Sequence, residues 1–211
     1  MLQINYTTAG RYAGSSESVM DRDLRSIKAK GFQAFLAENE ASVLSDTFWD
    51  ISLPQKLETS TPNSPVWKTF VAAQIKMNCS SLLMDGTKIE DLIKVYGDVH
   101  HIFPKAYLKE NGMSSKVQYN QVANYTYLDS PVNKAVGKLA PYEYFGIVKK
   151  QCQTKNLELG NICDDKVLNK NLADNAIPEE IVNMTVSDYE EFLSLRRKLM
   201  AQLMKEYYNT L

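Results

Sequence analysis

Along the chain, apolar residues recur at helical spacing in the first ninety positions and again near the C-terminal end, and at strand-like spacing only in between. From Met20 to about Glu40, Leu24, Ile27, Phe32, Phe35 and Leu36 fall on one face with charge between them, a helical pattern that Gly31 weakens in its middle. A second amphipathic stretch runs from Ala41 to about Ile51, with Val43, Leu44, Phe48 and Trp49 as core positions and Pro54 after its end. Pro65 suits a helix start, and Trp67, Phe70, Val71, Gln74 and Ile75 carry that helix to about Asn78. Thr87 and Glu90 have capping-box spacing ahead of Leu92 and Ile93. Residues 1–18 and 59–65 read as loops from their Gly, Ser, Thr and Pro content.

The middle changes period. Val99 to Phe103 predicts a short strand closed by Pro104, residues 105–118 a polar loop with an Asn111-Gly112 turn, and Val122 to Leu128 a second strand. Asp129-Ser130-Pro131 predicts a helix start, with Asn133 and Lys134 in the first turn and Gly137 near the end. Pro141 to about Cys152 predicts another helix, and residues 153–172 are weakly patterned. The final helix is the clearest: Ser187-Asp188-Tyr189-Glu190 has capping-box form, and Tyr189, Phe192, Leu193, Leu199, Leu203 and Tyr207 keep its spacing. Arg196, Arg197 and Lys198 read as its solvated face. The expected fold class is α+β and mostly α-helical. A helical region covers 1–94, a strand–loop–strand–helix module 95–152, and a C-terminal helical region 153–211 packs on the same domain.

At 211 residues with a formal net charge of −1, the chain is no polycation that binds nucleic acid by bulk charge. The charge is uneven, however: Lys94 to Lys150 holds eight lysines against four acids, a local excess of +4. The three cysteines, Cys79, Cys152 and Cys163, form no C-x-x-C pair, which argues against a zinc ribbon or a disulfide framework. No apolar run is long enough to span a bilayer, so a cytoplasmic protein with no membrane partner is expected.

The chain has two histidines, and they are adjacent: His100 and His101, in Asp98-Val99-His100-His101-Ile102-Phe103-Pro104. Imidazole is the side chain that binds a metal or accepts a proton near neutral pH. Neighbours on a regular strand point to opposite faces, so both rings can serve one site only at a strand end or an irregularity, which Pro104 favours. Strand, loop, strand and helix carrying His-His, Asn and Asn in that order form the layout of a ββα-metal site.

His100-His101-Ile102-Phe103-Pro104 resembles the first motif of the HNH nucleases. Asn124 within Val122-Ala123-Asn124-Tyr125 resembles their middle Asn, and Asn133-Lys134 resembles the third motif on the helix. The longer string Gly97 to Lys105, then Asn120 to Tyr125, then Pro141 with Tyr144-Phe145, looks like the C-terminal nuclease half of GmrSD-type modification-dependent restriction proteins. Gly10-Arg11-Tyr12 and Ala72-Ala73-Gln74 are similar to the helical segment that precedes it there, so the resemblance spans most of the chain to about Phe145.

The resemblance implies a role for each position. His101 is the general base, and Asn124 bonds backbone near the first motif and holds the His101 loop. His100 and Asn133 are the ligands of one divalent metal ion, Mg²⁺ or Mn²⁺ first, with Ni²⁺ or Zn²⁺ as alternatives. Lys134 and Lys105 contact flanking phosphates. Asp98 is a candidate for a carboxylate that this neutral ligand pair otherwise lacks. The implied function is an endonuclease that cuts DNA, in defence against foreign or modified DNA. The implied partner is a nucleotide-hydrolysing regulatory N-terminal half or separate subunit. Two other readings stay open: an RNase using the same site, and a catalytically inactive nucleic-acid-binding or interaction module.

Overall fold

The computed structural model describes residues 10–12, 14–95 and 99–211. These form a mostly helical α+β architecture, with a single two-stranded antiparallel sheet among the described residues. Gly31 divides the first amphipathic stretch into α1 (Ser16–Lys30) and α2 (Phe32–Val43). Its φ of 84° lies in the left-handed region, open to a residue without a Cβ, and the two helices pack against each other as a hairpin. The second stretch begins as a wide helical turn at Phe48–Ser52 and continues into α3 (Leu53–Lys56), burying Phe48, Trp49 and Leu53. α4 (Pro65–Lys76) starts where the Ser64 hydroxyl accepts the Trp67 N–H, and Pro65 occupies a first-turn position whose N–H has no helical acceptor anyway. α5 spans Ile89–Val95.

The centre holds less strand than its residue types suggest. β1 is only His100–His101 and pairs with β2 (Tyr125–Thr126), His100 opposite Thr126 and His101 opposite Tyr125. The expected strand residues Val122–Asn124 form a 3₁₀ turn instead. Val122 N–H donates to the Thr59 carbonyl, and the Asn124 side chain takes up backbone groups of Phe103 and Tyr119, so this segment spends its hydrogen bonds outside any ladder. The expected loop after Pro104 contains two short helices, α6 (Lys105–Glu110) and α7 (Lys116–Tyr119). α8 (Ser130–Val136) is capped by Asp129 and stopped by Gly137 at φ 53°. α9 (Pro141–Thr154) and α10 (Asp165–Asp174) follow; α10 fills part of the weakly patterned stretch, with the Asp164 carboxylate accepting the Lys166 and Val167 N–H groups.

The long C-terminal helix α11 (Tyr189–Tyr208) is entered through a 3₁₀ turn at Val186–Asp188. That turn moves the capping box two residues from its expected place: Asp188 accepts the Thr185 N–H at 2.8 Å, and Ser187 is outside the reciprocal pair. α11 packs on α4, on α3 with the turn before it, and on the Val122–Asn124 turn. One continuous core runs from Leu44 to Tyr207. No helix among the described residues is long and apolar enough to cross a membrane.

The solvated face expected at Arg196–Lys198 is corrected at its first residue. Arg196 is fully buried, one helical turn from Phe192 and from Met200, and donates to the carbonyls of Ala123 (2.8 Å) and Asn175 (3.2 Å). Burial pushes its guanidinium down to about 9, so it still carries its charge at neutral pH. A buried cation costs several kcal/mol, of order, unless its donors are taken up, and two carbonyls offset part of that cost. Arg197 is half-buried and Lys198 exposed.

Candidate active site

β1, the start of α6 and the end of α8 enclose a cavity of about 390 Å³ whose walls include His100, His101, Lys105, Lys109, Asn133 and Gly137. Both histidines reach it although they are neighbours. β1 is two residues long and gives way at once to the turn before Pro104, so strict strand alternation does not separate the two rings. Asn133 arrives from α8, where Asp129 accepts the Ser130 N–H and fixes the start of the helix.

His101 is held on three sides. Its Nε2 lies 3.0 Å from Asn120 Oδ1, and its ring meets those of Tyr125 and Tyr119 edge-on, with centroids 5.2 and 6.4 Å away. Burial keeps its pKa below the ordinary histidine value; Asn120 opposes that by favouring the protonated ring, while Lys105 and His100 lower it further. The ring is therefore neutral at physiological pH. With Nε2–H donating to Asn120, Nδ1 is the nitrogen left with a lone pair.

Asn124 is fully buried and forms no part of the cavity wall. Its Oδ1 accepts the Phe103 N–H at 2.8 Å, and its Nδ2 donates to the carbonyls of Phe103 (3.1 Å) and Tyr119 (3.2 Å). Ile102 N–H bonds the Asn124 carbonyl at 2.9 Å, and the Tyr144 hydroxyl donates to the Ile102 carbonyl at 2.9 Å. Arg196 grips the carbonyl of Ala123, one residue away. Together these bonds fix the backbone on which both histidines stand. Asn124 itself bonds only backbone and is not exposed in the cavity.

His100 and Asn133 line the same cavity, and an imidazole with an amide oxygen is a donor set that would suit a divalent cation completed by water and phosphate oxygens. Among the described residues no three His, Cys, Asp or Glu side chains gather into a metal cluster. Asp98 lies outside the described residues. Lys134 is exposed and is not part of the cavity wall, whereas Lys105 is both. Gly137 stands one helical turn beyond Asn133, at the cavity edge.

Two residues beyond the sequence-derived set belong to this site. Asn120 orients His101. Lys109 lines the cavity, and its Nζ sits 5.3 Å from the centroid of the Tyr119 ring, beside Lys105 Nζ at 5.1 Å. The signal for Lys109 was its place one helical turn after Lys105. Asn120 opens one of the strings that carry the resemblance, but its role was not assigned, because it depends on the 19-residue excursion that brings it back to His101. Compared with known protein families, curated proteins and solved structures, the chain matches none.

Proposed function

We propose that the chain is an HNH-type, metal-dependent endonuclease that hydrolyses DNA phosphodiesters in the cytoplasm, in defence against foreign or modified DNA. One observation carries this reading: a neutral, oriented His101 opens onto the same cavity as His100, Asn133 and two lysines. His101 Nδ1 accepts the proton of the attacking water, and Asn120 stabilises the resulting imidazolium, since its oxygen favours the charged ring. Lys105 and Lys109 offer cations to the phosphate oxygens. A divalent ion on His100 and Asn133, Mg²⁺ or Mn²⁺ with Ni²⁺ or Zn²⁺ as alternatives, would polarise the scissile phosphate and stabilise the leaving oxygen. By the motif resemblance, the products carry a 5′-phosphate and a 3′-hydroxyl, and a nucleotide-hydrolysing partner governs access to the target.

The test is plasmid nicking with each of the four metals, comparing the parent chain with His101→Ala. Metal-dependent nicks are expected from the parent, with loss in the variant. Parent-level cutting by the variant removes His101 as the base, and no cutting with any metal removes the enzyme reading. Parallel RNA and DNA substrates separate a DNase from an RNase.

A further inference from the structure

A second cavity of about 380 Å³ adjoins the first, and Val99, the residue before His100, lines both. Its walls include Trp67, Lys68 and Ala72 of α4, and Tyr127, which follows β2. The ladder register explains the adjacency: His100 faces Thr126, so one residue further along the same pairing sets Val99 against Tyr127. One strand residue is roughly 3.3 Å, so this wall begins about one residue from His100.

The chemistry of the second cavity differs from that of the first. Trp67 and Tyr127 stack, with centroids 6.1 Å apart and planes 24° from parallel. Tyr125 meets Trp67 edge-on at 6.0 Å and also borders the His101 ring, so one aromatic cluster links the two cavities. Tyr127 is half-buried, and Lys68 is an exposed cation at the rim. Trp67 is itself buried, so the face open to a ligand is the half-buried Tyr127 ring backed by Trp67, and with a flanking cation it suits a flat, unpaired nucleobase and the phosphate attached to it. The volume is also in the range, roughly 300–1,000 Å³, of pockets that take small ligands.

We infer that the Trp67–Tyr127 cavity is a nucleobase subsite. Resting on the nuclease reading, it takes one base of the cut strand out of the stack, next to the scissile phosphate in the histidine cavity. The Tyr127 ring, backed by Trp67, supplies stacking that any base can use, and Lys68 takes the adjoining phosphate. A strand that is already unpaired then binds and is cut in preference to intact duplex, because extruding a base from a duplex costs a few kcal/mol, roughly.

The test uses a Trp49→Phe, His101→Ala chain without divalent metal, so that Trp67 is the sole indole and cutting plays no part. Twelve-residue oligomers of deoxythymidine and of uridine are titrated while indole fluorescence is followed, with a fully abasic DNA oligomer as control. Saturable quenching by the base-bearing oligomers and none by the abasic one is expected. Quenching by either strand supports the subsite, and the stronger strand identifies the source of the base. Ala72→Phe fills the cavity and is expected to weaken binding about tenfold or more. Lys68→Glu, at an exposed position that cannot unfold the core, is expected to weaken it several-fold.

Equal quenching by the abasic oligomer overturns the subsite. So does parent-level affinity in both variants while Ala72→Phe keeps the parent's unfolding midpoint. Plasmid nicking with unchanged affinity in both variants leaves the nuclease reading standing and removes the subsite. Base-dependent binding without nicking does the reverse.

Discussion

The α1–α2 hairpin and the histidine cleft are held in opposite ways. The hairpin relies on charge: Arg11 grips both oxygens of Asp23, at 2.6 and 2.7 Å, the Tyr12 hydroxyl adds a third bond, and Lys30 pairs with Glu38. It leaves Leu24 66% and Phe32 46% exposed. The cleft relies mostly on neutral amides, with the buried Arg196 as the charged member of its support. Asn124 makes three bonds to backbone, Asn120 holds His101, and behind them Asn171 and Asn175 tie the Ser80–Met84 segment and Thr126 to α10. An amide side chain fixes several backbone groups and adds no net charge. The cleft's electrostatics are thereby left to the lysines, the imidazoles and whatever cation binds them. A salt-bridged scaffold in the same place would perturb the pKa of His101 directly.

The comparison breaks or sharpens at measurable points. His101→Ala is expected to lower the cleavage rate by about 10²–10⁴-fold while circular-dichroism melting stays close to the parent. Asn124→Ala strands three buried backbone groups and is expected to cost about 2–4 kcal/mol in urea unfolding, with cleavage lost alongside stability. Asn120→Ala leaves the fold standing and is expected to slow cleavage roughly ten- to hundredfold through misorientation of the base.

The pH–rate profile gives a signed test of the same pair. In the proposed mechanism the neutral ring is the active form, so cleavage is expected to fall as pH drops through the His101 pKa, which lies below the ordinary value of about 6.5. Asn120 raises that pKa and Lys105 lowers it. Asn120→Ala therefore moves the acid limb to lower pH and Lys105→Ala moves it to higher pH, each read from kcat/KM against pH.

The smallest effects belong to the hairpin. Arg11→Ala is expected to cost about 1–3 kcal/mol locally, seen as faster amide exchange in α1, with cleavage unchanged. Arg11 holds the Asp23 carboxyl below its ordinary range, so this contribution is present above about pH 4 and is lost as pH falls through the lowered Asp23 value. Leu24→Ala is expected to change stability by less than about 0.5 kcal/mol. If Arg11→Ala slowed cleavage as much as Asn120→Ala, the two regions would not be separable.

The helices were legible where the pattern and a start signal coincide, as at Pro65 for α4 and Asp129-Ser130-Pro131 for α8. The strands were legible in place but not in length. Val122 and Ala123 suit a strand by type, yet the backbone there is committed to the Thr59 carbonyl and to the Arg196 guanidinium, and neither contact leaves a local trace. Arg196 shows the limit of reading a charge run as solvent-facing. It lies one turn from Phe192 and from Met200, on the apolar face, and that spacing was the available signal. The rows of the cleft (His100, His101, Asn133, Lys105) could be read as motifs because each is a single residue type at a fixed interval. The role of Asn120 and the Trp67–Tyr127 wall could not, because they depend on pairing between segments distant in sequence.

The Arg196 bond to Ala123 spans 73 residues, and α11 forms much of the wall behind the Val122–Asn124 turn. During synthesis the histidines therefore leave the ribosome long before the helix that braces their backbone. Until α11 emerges, the Ala123 carbonyl lacks its Arg196 partner and the Val122–Asn124 turn lacks the helix packed behind it. A truncated or stalled chain would carry every motif residue and still lack the helix that braces them.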